Sequence, residues 1–347
     1  MNVLLVYAHP EPMSLNGALK DFAVQRLQGV GHHVQVSDLY AMQWKSTLDA
    51  QDSLDGAGGD RFDPSADSKR AFASGRQRAD IAAEQDKLRW ADAVLLQFPL
   101  WWFSMPAILK GWVDRVYADG FAYGVGEHSD ARWGDRYGEG SMAGKRAMLI
   151  VTTGGWESHY APRGINGPID EVLFPIQHGI LTTPVSTCCR HLVVYRAGRM
   201  DADRFAQIRD ALGQRLDMLW SAAPIAFRNQ NGGDYLIPAL TLCANVAAGR
   251  SGFAVHVMAP GESAAAAQPA SRVARAEQRD ARIAQRPVRP ERREPESQRR
   301  PNPARRSASR RGGSRHALPC ERRTPWRAAH GDGDGSGIRS MGAGTAL

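Results

Sequence analysis

One segment constrains the fold of this chain more than any other, a buried strand that runs through an aromatic loop into a helix. Residues 93–98 (AVLLQF) are almost continuously apolar, which is typical of a parallel strand covered on both faces. Pro106 suits the first turn of the next helix, with Ser104 as its expected cap. The loop at 99–103 must then lie at the carboxyl edge of the strand, where open α/β sheets bind ligands. Its three consecutive aromatic residues cannot all face a core, so at least one is expected to face a flat ring; packing beneath a neighbouring loop is the alternative.

A second strand, loop and helix opens the chain. Residues 3–7 (VLLVY) predict a short buried strand, and a helix is predicted over about 17–27. Ser14 or Asn16 is expected to cap this helix, whose first amide groups then point into the loop and favour a phosphate group. Neither a Gly-x-Gly-x-x-Gly motif nor a P-loop is present, so hydroxyl and amide side chains, with His9, would have to hold that phosphate. A histidine bonded to nearby backbone is an equally good interpretation of His9.

A third predicted strand ends at the same edge. Residues 147–151 (AMLIV) form another short apolar run, and Thr152-Thr153-Gly154-Gly155 follows it. Two hydroxyl groups and two glycines let a backbone approach a ligand closely, although glycines after a strand are also common in plain turns. Each loop is a weak signal by itself. Because all three follow parallel strands, we expect them to meet at one sheet edge and form one site.

These residues together carry a family resemblance over about residues 1–258. The chain resembles the NAD(P)H:quinone oxidoreductases of the flavodoxin-like superfamily, the group that includes DT-diaphorase and the bacterial modulators of drug activity. The resemblance rests on six motifs: Ala8-His9 with Ser14-Leu15-Asn16, Ser37-Asp38-Leu39-Tyr40-Ala41-Met42, Phe98-Pro99-Leu100 through Gly111-Trp112, Phe121-Ala122-Tyr123, Thr152-Thr153-Gly154-Gly155, and Pro175-Ile176-Gln177 with Gly179-Ile180-Leu181. It implies a flavodoxin-like α/β fold, with a doubly wound parallel sheet of strand order 2-1-3-4-5 in three α/β/α layers. It also implies that the bound cofactor is FAD rather than FMN and that the electron donor is NADH or NADPH. It further implies a homodimer with active sites at the subunit interface.

The resemblance also implies roles for individual residues. The FAD phosphates and adenine side would contact His9, Ser14, Leu15 and Asn16. The flavin ring would be bordered by Pro99, Leu100, Trp102 and Phe103, with Thr152, Thr153, Gly154 and Gly155 on its polar edge. The substrate would contact Phe103, Tyr123, Gly154, Gly155 and Tyr160.

Tyr160 and Asn166 are the predicted catalytic residues. Tyr160 falls where the family places a tyrosine near the flavin carbonyl oxygens, and Asn166 falls where the family usually has a histidine partner. Histidine can relay a proton near neutral pH, whereas asparagine can only donate or accept hydrogen bonds. We therefore expect hydride transfer to survive, since the cofactor carries that chemistry. Proton management should then depend more on Tyr160, His159 or water.

The expected reaction is a two-electron reduction of quinones. If nicotinamide and quinone stack on the same face of the flavin, they must bind in turn, which predicts ping-pong kinetics. The slot that takes each of them in turn should be flat and apolar. Candidates for its walls are Trp102, Phe103, Tyr123 and Phe174. For Phe174, an ordinary core position is favoured.

The remaining elements are predicted in less detail. A second strand is expected at 33–37, and an amphipathic helix at 80–90. The stretch 38–79 is expected to be a long polar surface connection, and 121–144 a functional glycine-rich loop. A further strand at 192–195 and a helix capped by Asp201 complete a catalytic domain over 1–223, which 224–260 extends towards a dimer interface.

The composition changes abruptly after this region. The first 260 residues hold 25 Lys and Arg against 27 Asp and Glu, whereas 261–347 holds 19 against 9, so the formal net charge of +8 arises wholly in the tail. Aliphatic residues are scarce there and lysine is absent, which predicts disorder. Three interpretations of this tail stay open: a nucleic-acid-binding extension, a solvated extension without a role, or an altered reading frame of a GC-rich gene.

Other function classes find little support. The four cysteines form no Cys-x-x-Cys motif or Cys/His cluster, so structural zinc and a disulfide scaffold are not expected, and Cys188-Cys189 should be buried packing. With no signal peptide and no long apolar run, a cytoplasmic protein without membrane insertion is expected. Two alternatives stay open, a flavin-containing regulatory subunit of a potassium-efflux antiporter and an FMN-dependent azo or nitro reductase.

Overall fold

A parallel sheet lies at the centre of the computed structural model, which describes residues 1–129, 132–259 and 261–262. The strand order is β2-β1-β3-β4-β5, which confirms the predicted order. Beyond β4 the outer position is shared, because β5 pairs with the first half of β4 and β6 with residues Ile150 to Thr152 at its end. The strands are β1 Asn2–Tyr7, β2 His33–Asp38, β3 Ala93–Pro99, β4 Met142–Thr152, β5 Val185–Cys188 and β6 Leu192–Val194.

Helices cover both faces of this sheet, because alternate side chains of a strand point to opposite sides. The helices are α1 Leu15–Gly29, α2 Pro64–Ser74, α3 Ala79–Trp90, α4 Ala107–Val116, α5 Ile169–Phe174 and α6 Ala202–Asp217. Leu4 and Val6 of β1 belong to an apolar cluster with α3, α4 and α5, whereas Val3 and Leu5 belong to another with α1 and α6. The three-layer α/β/α architecture of the sequence prediction is therefore correct.

Two local expectations were wrong. The connection at 38–79 contains α2, whose start is marked by Asp63, which accepts two backbone hydrogen bonds of the first turn, and whose end is marked by Gly75 in the left-handed conformation. Ser104 does not cap α4, because its backbone pairs with Trp101 in a tight turn instead. Pro106 is the residue before α4, and no side chain caps that helix.

Residues 224–259 form an irregular extension that packs against α5 and the π-helical turn Pro175–Thr182 of the same chain. It contains the hairpin of β7 Tyr235–Leu236 and β8 Thr241–Leu242. The rings of Tyr137, His178, Phe174 and Phe253 form a continuous stack, with centroids 4.5, 4.6 and 4.4 Å apart. Phe174 therefore packs against rings of the protein, as favoured from the sequence. The place of the extension at a dimer interface stays a prediction.

Two further expectations can be compared with the fold, and a third falls on residues that the structure does not describe. Cys188 and Cys189 are both buried, as predicted. No helix within the described ranges has both the length and the apolar character needed to cross a membrane. The predicted disorder of the tail at 261–347 lies outside the described residues, apart from 261–262.

Candidate functional site

The loop between β1 and α1 is held together by its own polar groups. Ser14 caps α1 by accepting a hydrogen bond from the NH of Gly17 at 3.2 Å. Nδ1 of His9 lies 3.0 Å from Ser14 Oγ and 3.1 Å from the NH of Glu11, which donates to it. A Cβ on Gly17 would lie 1.8 Å from the Pro12 carbonyl oxygen, so only glycine lets the loop fold this closely onto the helix. The positive end of α1 is thus presented at the sheet edge.

Asn16 lies inside α1 rather than at its cap, and its side chain connects this loop to the next strands. It is only 4% exposed, and its Nδ2 donates to Thr152 Oγ1 at 2.8 Å. Gln97 Nε2 donates to the Asn16 carbonyl at 2.6 Å. Asn16 Oδ1 and Gln97 Oε1 are buried acceptors without a hydrogen-bond partner in the described part of the chain. Such acceptors indicate a donor supplied by a bound group or a water molecule. Leu15, also predicted at this site, is half-buried against the α1 side of the core.

The aromatic loop after β3 forms a strained two-residue turn. Trp101 and Ser104 exchange two backbone hydrogen bonds of 3.0 Å, which leaves Trp102 and Phe103 at the tip with φ of 51° and 62°. Tips of this kind favour Asn and Gly, and a bulky residue there costs about 1–3 kcal/mol. The two rings are 81% and 52% exposed, while Pro99, the last residue of β3, is buried. Strain combined with exposed rings is typical of a ligand-binding turn.

The three loops meet at one edge, as the sequence predicted. The rings of His9 and Trp101 lie 6.2 Å apart and join the first loop to the second. The NH of buried Leu100 donates to the Thr152 carbonyl at 2.7 Å, which joins the second to the third. The Asn16 bond to Thr152 spans the first and third loops.

The loop after β4 positions a tyrosine hydroxyl. Thr153 Oγ1 lies 3.2 Å from the Tyr160 hydroxyl and accepts a hydrogen bond from the NH of Gly155 at 3.3 Å. A Cβ on Gly155 would lie 2.8 Å from Tyr160 Cε2, so glycine is needed for this packing, whereas a Cβ on Gly154 would meet no atom within 4 Å. Tyr160 is buried with its hydroxyl held at the sheet edge, where it can donate a hydrogen bond or a proton.

Asn166 lies beside this loop through its backbone. Its NH donates to the His159 carbonyl at 2.9 Å, one residue before Tyr160. Among the described residues, no hydrogen bond joins the Asn166 side chain to the Tyr160 hydroxyl. The His159 side chain is exposed. The proton roles assigned to Asn166 and His159 therefore stay predictions.

Tyr123 lies apart from the three loops within this chain. Its hydroxyl is 3.4 Å from Ser65 Oγ at the start of α2, and its carbonyl accepts a hydrogen bond from Gly120 at 2.7 Å. Among the described residues, no hydrogen bond joins it to Trp102 or Gly154. Of the predicted site residues, the structure thus brings the cofactor set, Tyr160 and Phe103 to one edge and leaves Tyr123 on a separate loop.

Sequence reasoning missed two residues at this edge, Trp156 and Arg196. The NH of Arg196, two residues after β6, donates to the Gly155 carbonyl at 2.9 Å. Its guanidinium carbon lies 4.0 Å from the centre of the Trp156 ring. The available signal was that Arg196 follows a predicted strand and Trp156 follows the glycine pair. Only the pairing of β6 with β4 shows that the two side chains meet.

Two further tyrosines support the site and stay protonated near neutral pH. Burial raises the pKa of Tyr7, at the end of β1, to about 12. The pKa of Tyr195 is also raised, chiefly by burial and then by the charge of Glu157. The Tyr195 ring lies 5.9 Å from the ring of Tyr160.

Comparison with known proteins finds one family model and several similar proteins. A family model described as a flavodoxin-like fold matches residues 1–216. A ribosyldihydronicotinamide dehydrogenase-like protein of Penicillium crustosum is 53% identical over 257 residues, which is 74% of this chain and 95% of that protein. NAD(P)H dehydrogenase [quinone] 1 of Rattus norvegicus is 37% identical over 225 residues, 65% of this chain and 79% of that protein.

A solved structure gives a closer match in three dimensions. A crystal structure from Klebsiella pneumoniae, provisionally named a quinone reductase, is 65% identical with a TM-score of 0.73 and covers 74% of this chain and 100% of that one. A potassium-efflux system ancillary protein of Yersinia enterocolitica is a weaker match, 31% identical over 65% of this chain and 94% of that protein.

Proposed function

Because the chain belongs to the family with the flavodoxin-like fold, we propose that it is an NAD(P)H-dependent quinone reductase with a bound flavin. The observation that carries this proposal is the meeting of a capped helix end, an exposed aromatic turn and a Thr-Thr-Gly-Gly loop at one sheet edge. These are the surfaces that a phosphate, a flat ring and its polar rim require. Quinone reductases at 37% and 65% identity support the same activity.

The residues present fit a flavin. Ser14, His9 and the first amides of α1 would hold its phosphate, and the rings of Trp102 and Phe103 would border the isoalloxazine. The orphan Oδ1 of Asn16 is a buried acceptor beside these groups. When bound, the flavin takes a hydride from the nicotinamide and delivers two electrons to the quinone. We propose FAD rather than FMN, with the phosphates on the β1 side.

The protein side chains would manage position and protons. Reducing a quinone to a hydroquinone consumes two electrons and two protons, of which the hydride carries both electrons and one proton. The second proton must come from a group at the site or from water. We propose that the Tyr160 hydroxyl, which lies 3.2 Å from Thr153 Oγ1, supplies this proton. Exposed Trp102 and Phe103 would exclude water from the face on which donor and quinone bind in turn.

We also propose that residues 1–223 form the catalytic domain, that 224–260 complete it at the interface of a homodimer, and that the tail is dispensable. The Klebsiella structure supports the last of these points, because all of that chain corresponds to 74% of this one. Truncation after residue 260 should preserve bound flavin, turnover and melting temperature. A loss of any of these would show that the tail takes part.

Flavin analysis and turnover test the proposed function. The purified full-length protein, reconstituted with FAD or FMN, should be yellow, and mass spectrometry of the extract should identify FAD. NADH or NADPH should reduce menadione with parallel lines in a two-substrate analysis, as ping-pong kinetics requires. Protein that stays colourless after reconstitution with both flavins would overturn the proposal.

A role as an antiporter regulatory subunit is the second candidate, favoured by the 31% match to the ancillary protein of Yersinia. It requires the same flavin site and does not compete with the fold. Co-purification with a membrane transporter and negligible menadione turnover would favour it. Efficient turnover by the isolated protein favours the reductase.

A further inference from the structure

Arg196 is a cation at the candidate site for which the described residues supply no acidic partner. Its backbone has φ of 49°, a left-handed conformation that is rare for arginine. Three hydrogen bonds hold its backbone: its NH donates to the Gly155 carbonyl at 2.9 Å, and its carbonyl accepts from the NH of Arg199 at 2.9 Å and from the Arg204 side chain at 3.2 Å. Among the described residues, the guanidinium forms neither a hydrogen bond nor an ion pair, and its Nε is buried without an acceptor. The guanidinium carbon lies 4.0 Å from the centre of the Trp156 ring.

The neighbouring Arg204 shows what a structural arginine looks like in the same turn. Its guanidinium donates to the backbone carbonyls of Tyr195, Arg196 and Arg199, so its donors serve to hold the chain. Arg196 does none of this. A guanidinium that is stacked on an aromatic ring and has its donors unused is prepared for an anion, because little side-chain freedom is left to lose on binding.

The position of Arg196 separates it from the proposed flavin phosphate. The capped end of α1 follows β1, whereas Arg196 follows β6, and β3 and β4 lie between them in the sheet. Three strand spacings of about 4.8 Å put the two positions roughly 14 Å apart along the edge. The flavin ring would lie over the loops between them. Arg196 therefore lies at the other end of this edge from the capped end of α1, beside the loop of Gly155 and Trp156.

From this placement, which rests on the proposed function, we infer that Arg196, stacked on Trp156, binds a phosphate group of the incoming nicotinamide dinucleotide. Phosphate is the anion that both NADH and NADPH carry and that guanidinium recognises through paired hydrogen bonds. The group is either the pyrophosphate, present in both donors, or the 2′-phosphate, present in NADPH alone. Arg196 then determines donor preference without touching the reacting atoms.

Three donors of increasing phosphate content test the inference. Ribosyldihydronicotinamide has no phosphate, NADH adds the pyrophosphate together with adenosine, and NADPH differs from NADH by the 2′-phosphate alone. The variant Arg196→Asn removes the charge and keeps a residue that tolerates positive φ, while Arg196→Lys retains a cation. Arg209→Asn is the matched control, because Arg209 also stacks on an aromatic ring, Phe22 at 5.0 Å, but on α6 away from the edge.

In flavin-loaded Arg196→Asn, we expect KM for NADPH to rise about tenfold, the scale of a charge-assisted hydrogen bond, with kcat unchanged. KM for ribosyldihydronicotinamide should not change, and Arg196→Lys should recover part of the loss. If KM for NADH rises equally, the group that Arg196 binds is the pyrophosphate. If KM rises for NADPH alone, the group is the 2′-phosphate. Calorimetric affinities for NAD⁺ and NADP⁺ should show the same pattern without turnover, and added salt should weaken binding to the parent more than to the variant.

Other outcomes overturn the inference. The first is an unchanged ratio of the KM for NADPH to the KM for ribosyldihydronicotinamide, and the second is an equal rise of KM with all three donors. The third is a loss of flavin affinity alone, measured by titration of the flavin-free protein. If no donor supports turnover in the parent protein, the proposed function fails instead. Melting temperature reports any variant that fails to fold.

Discussion

The two sides of the candidate site are built in opposite ways. In the β1 rim, residues 8–17, Ser14 caps α1 and His9 is bonded within the loop, and the buried Asn16 Oδ1 has no partner among the described residues. The β4 rim, residues 153–160 with Arg196, bonds Thr153 to Tyr160 and Gly155, but its Trp156 is 49% exposed and the Arg196 guanidinium has no acidic partner among the described residues. The first rim is suited to a resident group, and the second to ligands that enter and leave in each cycle.

The difference teaches how one sheet edge can serve two kinds of ligand. A resident cofactor gains from a rigid, preorganised cradle, because the cost of ordering it is met during folding. An exchanging substrate must bind weakly enough to leave, so a few exposed rings and one cation suffice. The strained turn of Trp102 and Phe103 lies between the two rims and contacts the β1 rim through Trp101 and His9.

The β1 rim should be the more fragile of the two. Gly17→Ala places a methyl group 1.8 Å from the Pro12 carbonyl, so the loop must move away from α1. We expect flavin affinity to fall about hundredfold, equivalent to about 3 kcal/mol of overpacking. Titration of the flavin-free protein measures it. Gly29→Ala, at the other end of the same helix with nothing within 4 Å, is the control and should bind flavin as the parent does.

Tyr160→Phe, in the β4 rim, should lower turnover without lowering flavin binding. The change removes the hydroxyl that lies 3.2 Å from Thr153 and keeps the ring that packs on Gly155. We expect kcat for menadione to fall roughly thirtyfold, less than the loss of a full general acid because water can replace it in part. Flavin content should be unchanged. Tyr195→Phe, 5.9 Å away, is the matched control, and equal losses in both variants would argue against a proton role.

Asn166→His should speed up proton delivery beside the β4 rim. An imidazole restores a group that titrates near neutral pH next to the turn of Tyr160, so we expect the quinone half-reaction to speed up about tenfold. Stopped-flow mixing of the reduced protein with quinone measures this step separately from the nicotinamide step. A rate equal to that of the parent would mean that water already supplies the proton without limitation.

Trp102→Asn should have the smallest effect of these variants, a rise in melting temperature. Asparagine tolerates φ near 51°, whereas tryptophan is strained there, so relief of about 1 kcal/mol should raise the melting temperature by about 2–4 °C. Loss of the exposed ring should at the same time raise KM for menadione. A lower melting temperature would show that the ring stabilises the turn more than the backbone strain costs.

Local sequence correctly predicted the buried strands and two of the helix starts. The apolar runs of β1, β3 and β4 predicted strands buried on both faces, and Ser14 and Asp201 marked helix starts that the structure confirms. α2 was missed although Asp63, Pro64 and Gly75 are ordinary start and stop signals, because its apolar face is small and the surrounding stretch is polar. Ser104 was assigned wrongly because its preference for a helix cap competes with a turn that only the neighbouring aromatic residues make visible.

The apolar runs and the strand-loop-helix alternation by themselves predicted buried parallel strands and one sheet edge as the place of the candidate site, because these signals are local. The strand order and the three layers were implied by the family resemblance, and the structure confirms them. The tertiary structure decided which side chains face one another there. It buried Asn16 beneath the loop and left Tyr123 beside Ser65. It also brought Arg196 onto Trp156 across 40 residues, through the pairing of β6 with the end of β4. Contacts of that kind depend on strand register and on backbone conformations such as the positive φ of Arg196, which no local propensity encodes.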